Sequence, residues 1–186
     1  MTARTRPTTP RLDPLTPEEM DDETRATMPS GTPLNIFATL ARHPKLLKRW
    51  LVFGNHVLAK STLPEREREL AILRVGWRCA AEYEFGQHTV IGKRAGITDD
   101  EVAALTADLD AGGWSEADRT LLEAVDELHD DQCISDDTWA SLSQHWDQQQ
   151  LLDLIFTVGQ YTLVSMALNS LGVQRDAGVP GFPDRG

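Results

Sequence analysis

PERERELAILRVGWRCAAEYEFGQHTVIGKRA, residues 64–95, reads as two helices joined by a short turn. Pro64 opens the first, because proline suits a first helical turn, where no intrahelical N–H bond is lost. From Leu70 to Trp77 that helix is apolar almost all round. Such a helix belongs at the centre of the packing or in a subunit interface. The second helix runs from about Glu82 to Ala95 and stops at Gly96, a good terminating residue. On one of its faces lie Ala95, Ile91, His88 and Glu84, so an apolar stripe turns polar. The first helix does the same, with Glu69 on the face of Ile72, Leu73 and Gly76. Buried carboxylates are costly unless paired or protonated. Two carboxyl groups and an imidazole brought together would satisfy one another and move each other's pKa values toward neutrality. General acid–base chemistry needs that condition. On spacing alone, a solvated Glu84–His88 pair with Glu69 exposed is the commoner arrangement. A buried network that only fixes packing is the other alternative.

Working outward, every neighbouring segment reads as helix or turn. Thr16, Pro17 and Glu19 form a capping box that should start a helix, and Pro29–Pro33 should break it. A short helix is expected over Asn35–Arg42, and Pro44 opens another to about Ala59 with Leu47, Trp50, Leu51, Phe53 and Val57 on a wide apolar face. Thr98 and Glu101 make a second capping box. Ser115 opens a helix to about Asp130, and Ser135 one to about His145. The last runs from Gln148 to Leu171 and ends at Gly172. No segment shows sustained strand alternation. The expected organisation is a disordered arm over 1–14, one all-α domain over 15–174 and an irregular tail over 175–186.

Composition narrows the function. The chain has 186 residues, 40% of them apolar, enough for one real core. Its net charge of -11 argues against a nucleic-acid groove. No apolar run of 18 residues interrupts the polar positions, so no membrane span is expected. The N-terminal stretch MTARTRPTTPRL lacks the apolar region of a signal peptide. Cys79 and Cys133 stand in no zinc or redox spacing, which fits a reducing cytoplasm.

Residues 65–101, ERERELAILRVGWRCAAEYEFGQHTVIGKRAGITDDE, resemble the carboxymuconolactone decarboxylase family, which includes the AhpD-like alkylhydroperoxidases. The shared frame is a Glu, a short apolar stretch, a turn, then a His followed eight residues later by a Gly; Glu69, His88 and Gly96 fit it. The block Cys79-Ala80-Ala81-Glu82-Tyr83-Glu84-Phe85-Gly86-Gln87-His88 and the closing GQYTLVSMALNSLGV look like a subgroup with a C-x-x-E-Y-E-[WF]-x-x-H signature. The resemblance implies an AhpD-like helical bundle with a central antiparallel hairpin. It also implies a homo-oligomer, a trimer or a hexamer built from trimers, and the all-apolar helix fits that, because its outer face needs covering.

The hydroperoxidase branch carries a C-x-x-C pair whose second Cys stands four residues before the His. Those positions are Ala81 and Glu84 here, so both sulfurs are missing. The decarboxylase branch has a Glu four residues before the His, as Glu84 stands before His88. The resemblance therefore implies a lyase or isomerase, needing no cofactor or metal, that acts on a small organic acid or lactone. His88 would supply a proton, Glu84 would orient it or act as acid, and Glu69 would complete the relay. Tyr83, Trp50 and Phe37 are the candidate substrate contacts, with Phe53 a further candidate wall. Two alternatives stand beside this one: a peroxidase using Cys79, and a non-catalytic oligomer that binds a small ligand. Arg74 and Arg78 read as an ordinary surface pair. The acidic run around Cys133, with His129, Asp130, Asp131, Asp136 and Asp137, reads as a solvated cap.

Overall fold

The computed structural model describes residues 5–28 and 33–183, and every regular element among them is helical. In chain order these are α1 (Asp22–Thr27), α2 (Asn35–Leu40), α3 (Pro44–Ala59), α4 (Glu65–Arg78), α5 (Glu82–Arg94), α6 (Asp99–Ala104), α7 (Glu116–Asp130), α8 (Asp136–Leu142) and α9 (Gln148–Leu171), with a 3-10 turn over Leu109–Ala111. The fold is the expected all-α bundle around an antiparallel hairpin.

The centre is α4, which packs against α5, α7 and α9. Leu70, Ala71, Ile72, Leu73 and Val75 have no exposed surface. Its outer face is thus covered within the chain, not by a second copy as its composition had suggested. The apolar surface left open lies on α3 and α9 instead, where Val52, Phe53, Phe156, Leu163 and Met166 are exposed. Contrary to expectation, α9 is long and apolar enough to cross a membrane. Half of its most apolar window is nevertheless buried inside the fold.

Helix ends follow local chemistry. Glu65 and Glu67 stand in the first turn of α4, favourable toward the helix dipole. The capping boxes at Thr98–Glu101 and Asp147–Gln150 both form. The one expected at Thr16–Glu19 closes only a turn, with the Thr16 N–H donating to Glu19 at 2.8 Å. The helix begins later, where Asp21 caps the Thr24 N–H. α8 stops at Leu142, short of His145, where the bonding tightens to turns, with the Gln144 N–H donating to the Ser141 carbonyl and the His145 N–H to the Leu142 carbonyl. The break expected at Pro29–Pro33 lies almost wholly outside the described residues.

From residue 5 on, the arm expected to be disordered is irregular but docked. Arg6 donates to the Cys79 and Ala80 carbonyls, and Arg11 to the carbonyls of Ser170 and Leu171. The contacts at Cys79 and Ala80 support the tight α4–α5 turn, in which Ala80 has the left-handed φ of 50°. The C-terminal tail, though without helix, lies across α5. Gly86 permits this, since a Cβ there would stand 2.1 Å from the Pro180 carbonyl oxygen. Phe182 follows, its ring 5.0 Å from Trp77 and 5.2 Å from Phe85.

Candidate active site

The α4–α5 pairing brings Glu69 of one helix against His88 of the other. His88 Nδ1 lies 2.6 Å from Glu69 Oε2, and His88 Nε2 lies 2.9 Å from Glu84 Oε1, one turn earlier on α5. Glu69 is fully buried, and Glu84 and His88 are 4% and 5% exposed. The solvated arrangement that spacing alone favoured is therefore not the one formed. Behind Glu69 stands Arg68, also buried, with Nη2 3.3 Å from Glu69 Oε1. Two carboxylates, one guanidinium and one imidazolium would sum to zero.

Electrostatics decide the state of His88. Burial alone pushes its pKa down, but Glu69 and Glu84 outweigh it, and the value is raised to about 9. At neutral pH the ring carries both protons, with Nδ1 donating to Glu69 and Nε2 ion-paired with Glu84. The stability linked to this proton is complete below the ordinary imidazole value of 6.5 and is lost as pH rises through about 9. We therefore expect stability to fall across that window, by up to about 3 kcal/mol for such a shift. Urea unfolding at pH 6 and at pH 9.5 checks it; equal stabilities would contradict a charged His88.

The pair Glu84 and His88 faces a cavity of about 130 Å³. Its other walls come from α2 (Ile36, Phe37), α3 (Trp50, Leu51, Gly54, Asn55, Leu58), α5 (Tyr83, Gln87, Ile91) and α9 (Gln160, Tyr161, Val164), with Leu34 before α2. Phe37 and Trp50 meet at 6.1 Å between ring centres. The structure thus brings Phe37, Trp50, Tyr83, Glu84 and His88 to one cavity, with Glu69 behind His88. Phe53 instead lies outside, edge-on to Phe156.

Sequence reading did not single out four residues around this site. Arg68 follows from nothing in its spacing. Gln160 and Tyr161 stand on α9 among several other polar residues, so nothing in the sequence marked them out. The Tyr161 ring stands edge-on to His88 with centres 4.8 Å apart. Burial first, and then Glu84 and Glu69, push the Tyr161 phenol well above its usual value, so it stays protonated. Asp176 of the tail is the fourth. It accepts from the Tyr83 hydroxyl and from Gln87 Nε2, both at 2.6 Å, and from the Asn35 N–H at 3.0 Å. One carboxylate thereby ties α5 to the start of α2.

Other candidates lie elsewhere. Cys79 is half-buried outside the cavity lining, its Sγ 3.7 Å from His129 Nδ1, and burial pushes its thiol pKa up. Arg74 is not a surface residue. It is buried, reaches Asp126 with two bonds of 2.8 and 2.6 Å, and donates to the Leu105 and Ala107 carbonyls. A guanidinium so fully engaged ties α4 to α7 and cannot hold a substrate carboxylate. Arg78 donates to Asp130 on the surface. Among the described residues no group of three His, Cys, Asp or Glu is placed to hold a metal ion.

Residues 44–127 match the carboxymuconolactone decarboxylase family. The match spans α3 through most of α7 and includes Glu69, Glu84 and His88. No curated protein matches the chain. Among solved structures, an uncharacterized peroxidase-related protein of the AhpD core type from Ralstonia eutropha JMP134 is similar, with TM-score 0.81, 15% identity, and coverage of 93% of this chain and 95% of that one. An uncharacterized peroxidase-related protein from Silicibacter sp. TM1040 gives TM-score 0.77 and 17% identity, over 96% and 97%. A cysteine-to-alanine variant of the debrominase Bmp8, in complex with 2,3,4-tribromopyrrole, gives 0.72 and 12%, over 89% and 91%. At these identities the likeness is one of fold.

Proposed function

We propose that this chain is a cofactor-independent acid–base enzyme, a lyase or isomerase that moves a proton on a small organic acid or lactone. The observation that carries this reading is the buried Glu69–His88–Glu84 array, in hydrogen-bonding distance at both ring nitrogens and facing a largely apolar cavity. An imidazolium held between two carboxylates is a proton store. A shift of the Nε2 proton onto Glu84 Oε1 would place an acid at the cavity wall, while Glu69 keeps the ring oriented through Nδ1. The apolar walls would exclude water and strengthen these interactions at the reacting atoms. The Bmp8 variant, of similar fold, is in complex with 2,3,4-tribromopyrrole, which supports a small ring as ligand here.

The position of Cys79 speaks against the peroxidase alternative. A dithiol peroxidase needs an accessible thiolate and a resolving partner. The thiol here has its pKa raised by burial, and both cysteines are free. The test is a panel of small unsaturated lactones and acids incubated with the protein, without added metal or cofactor. Turnover of at least one member is expected, with no fast saturable consumption of peroxide. Rapid peroxide turnover would sink the proposal, and so would ligand-induced thermal stabilisation with no turnover at all, which is the signature of a silent binder.

A further inference from the structure

We propose that Gln160 and Tyr161 are the recognition pair for an uncharged, largely apolar ligand carrying one hydrogen-bonding oxygen, and that the cavity discriminates against carboxylates. This rests on the acid–base reading above for the step that follows binding, and narrows its substrate from acid or lactone to the neutral class.

The first observation is a pair of unpartnered groups. Gln160 is 5% exposed and Tyr161 is 6% exposed, and both line the cavity beside His88. Neither side chain hydrogen-bonds to any described residue, whereas the neighbouring Tyr83 and Gln87 are both engaged by Asp176. Their polar atoms open onto the cavity surface and are not sealed away, so they are free to bind what enters it. The Gln160 amide offers a donor and an acceptor, and the Tyr161 phenol offers a donor. Tyr161 also stands against the His88 ring, so an oxygen bound there would lie close to the proton store.

The second observation is charge. Among the described residues no Lys or Arg lines the cavity. Arg68, behind the array, already faces Glu69, and His88 is shared between two carboxylates. A ligand carboxylate would meet Glu84 with no free positive partner, and an unpaired buried charge is strongly disfavoured. The volume, about 130 Å³, is also well under the roughly 300–1,000 Å³ of drug-sized sites, so the ligand is a small ring or chain.

The experiment is calorimetric titration of the full chain at pH 7 with α-angelica lactone, a neutral unsaturated lactone, and with cyclopent-1-ene-1-carboxylate, an anion of similar size. The lactone should bind at least about tenfold more tightly than the carboxylate. Tyr161→Phe and Gln160→Met should each weaken lactone binding by roughly three- to tenfold, the effect of one lost neutral hydrogen bond. Neither variant should lower the unliganded melting temperature, because each removes a group with no partner in the protein. Equal or tighter carboxylate binding, unchanged lactone affinity in both variants, a lowered melting temperature, or no saturable lactone binding would each overturn the inference. Binding is read without turnover. A failure here therefore leaves proton transfer standing, and a failure of turnover leaves the ligand class standing.

Discussion

Glu69→Ala is expected to lower stability by about 3–5 kcal/mol, the cost of removing one partner from a buried charged array. Glu69 is fully buried and faces both His88 and Arg68, so its loss leaves His88 with Glu84 alone and Arg68 with only the exposed Glu65, 3.8 Å away. The His88 proton would relieve part of this by leaving, since the first force on its pKa is burial, which acts downward. Arg68 has no such escape, because a guanidinium does not deprotonate in proteins. Glu69→Gln keeps the volume and one hydrogen bond, so it should cost less. It should also move the alkaline loss of stability to lower pH, because a carboxylate that raises His88 has gone. Urea unfolding at pH 7 checks both variants. A cost under about 1 kcal/mol for Glu69→Ala would mean that the array does not hold the α4–α5 pairing, since that is the range of an exposed pair.

His88→Gln is expected to reduce turnover by about 10²–10⁴-fold, the usual worth of a positioned proton donor. Glutamine can still hydrogen-bond one carboxylate but cannot carry or pass a proton. The loss should fall on kcat with KM little changed, because the cavity walls that hold the ligand are untouched. A folded far-UV circular dichroism spectrum separates lost chemistry from lost structure. A collapse in KM with kcat kept would instead make His88 a binding residue.

How far these residues were legible in the sequence depends on how local their interactions are. The bounds of α3 and α9 came out as read, because Pro44, Asp147 and Gly172 fix them through neighbouring backbone. Glu84 and His88 are one turn apart, so their contact follows from helix geometry alone. That they are buried does not; it depends on α9 closing over α5, which periodicity in one helix cannot express. Glu69 joins them only through the register of two helices, and the family frame, not spacing, placed it there. Gln160 and Tyr161 lie far along the chain on a helix whose polar and apolar residues are spread over all its faces, so no amphipathic face says which side meets the cavity. Asp176 sits in a tail with no periodicity at all, and its contacts to Tyr83, Gln87 and Asn35 exist only in three dimensions. Arg74 was misjudged because charged residues are mostly exposed. Its burial depends on Asp126 arriving from α7.

As proposed, the Glu69–His88–Glu84 array transfers a proton to and from a carbon next to a carbonyl in the cavity. Deuterium incorporation from D2O into α-angelica lactone, followed by proton NMR, reads that step without knowledge of the full reaction. Removal of the ring proton next to the carbonyl leaves a dienolate, and return of a deuteron restores the lactone with one C–H replaced by C–D. The account predicts incorporation well above the buffer rate with the native chain, and incorporation at the buffer rate with folded His88→Gln. Buffer-rate exchange in the native chain, or equal exchange in the two proteins, would contradict it.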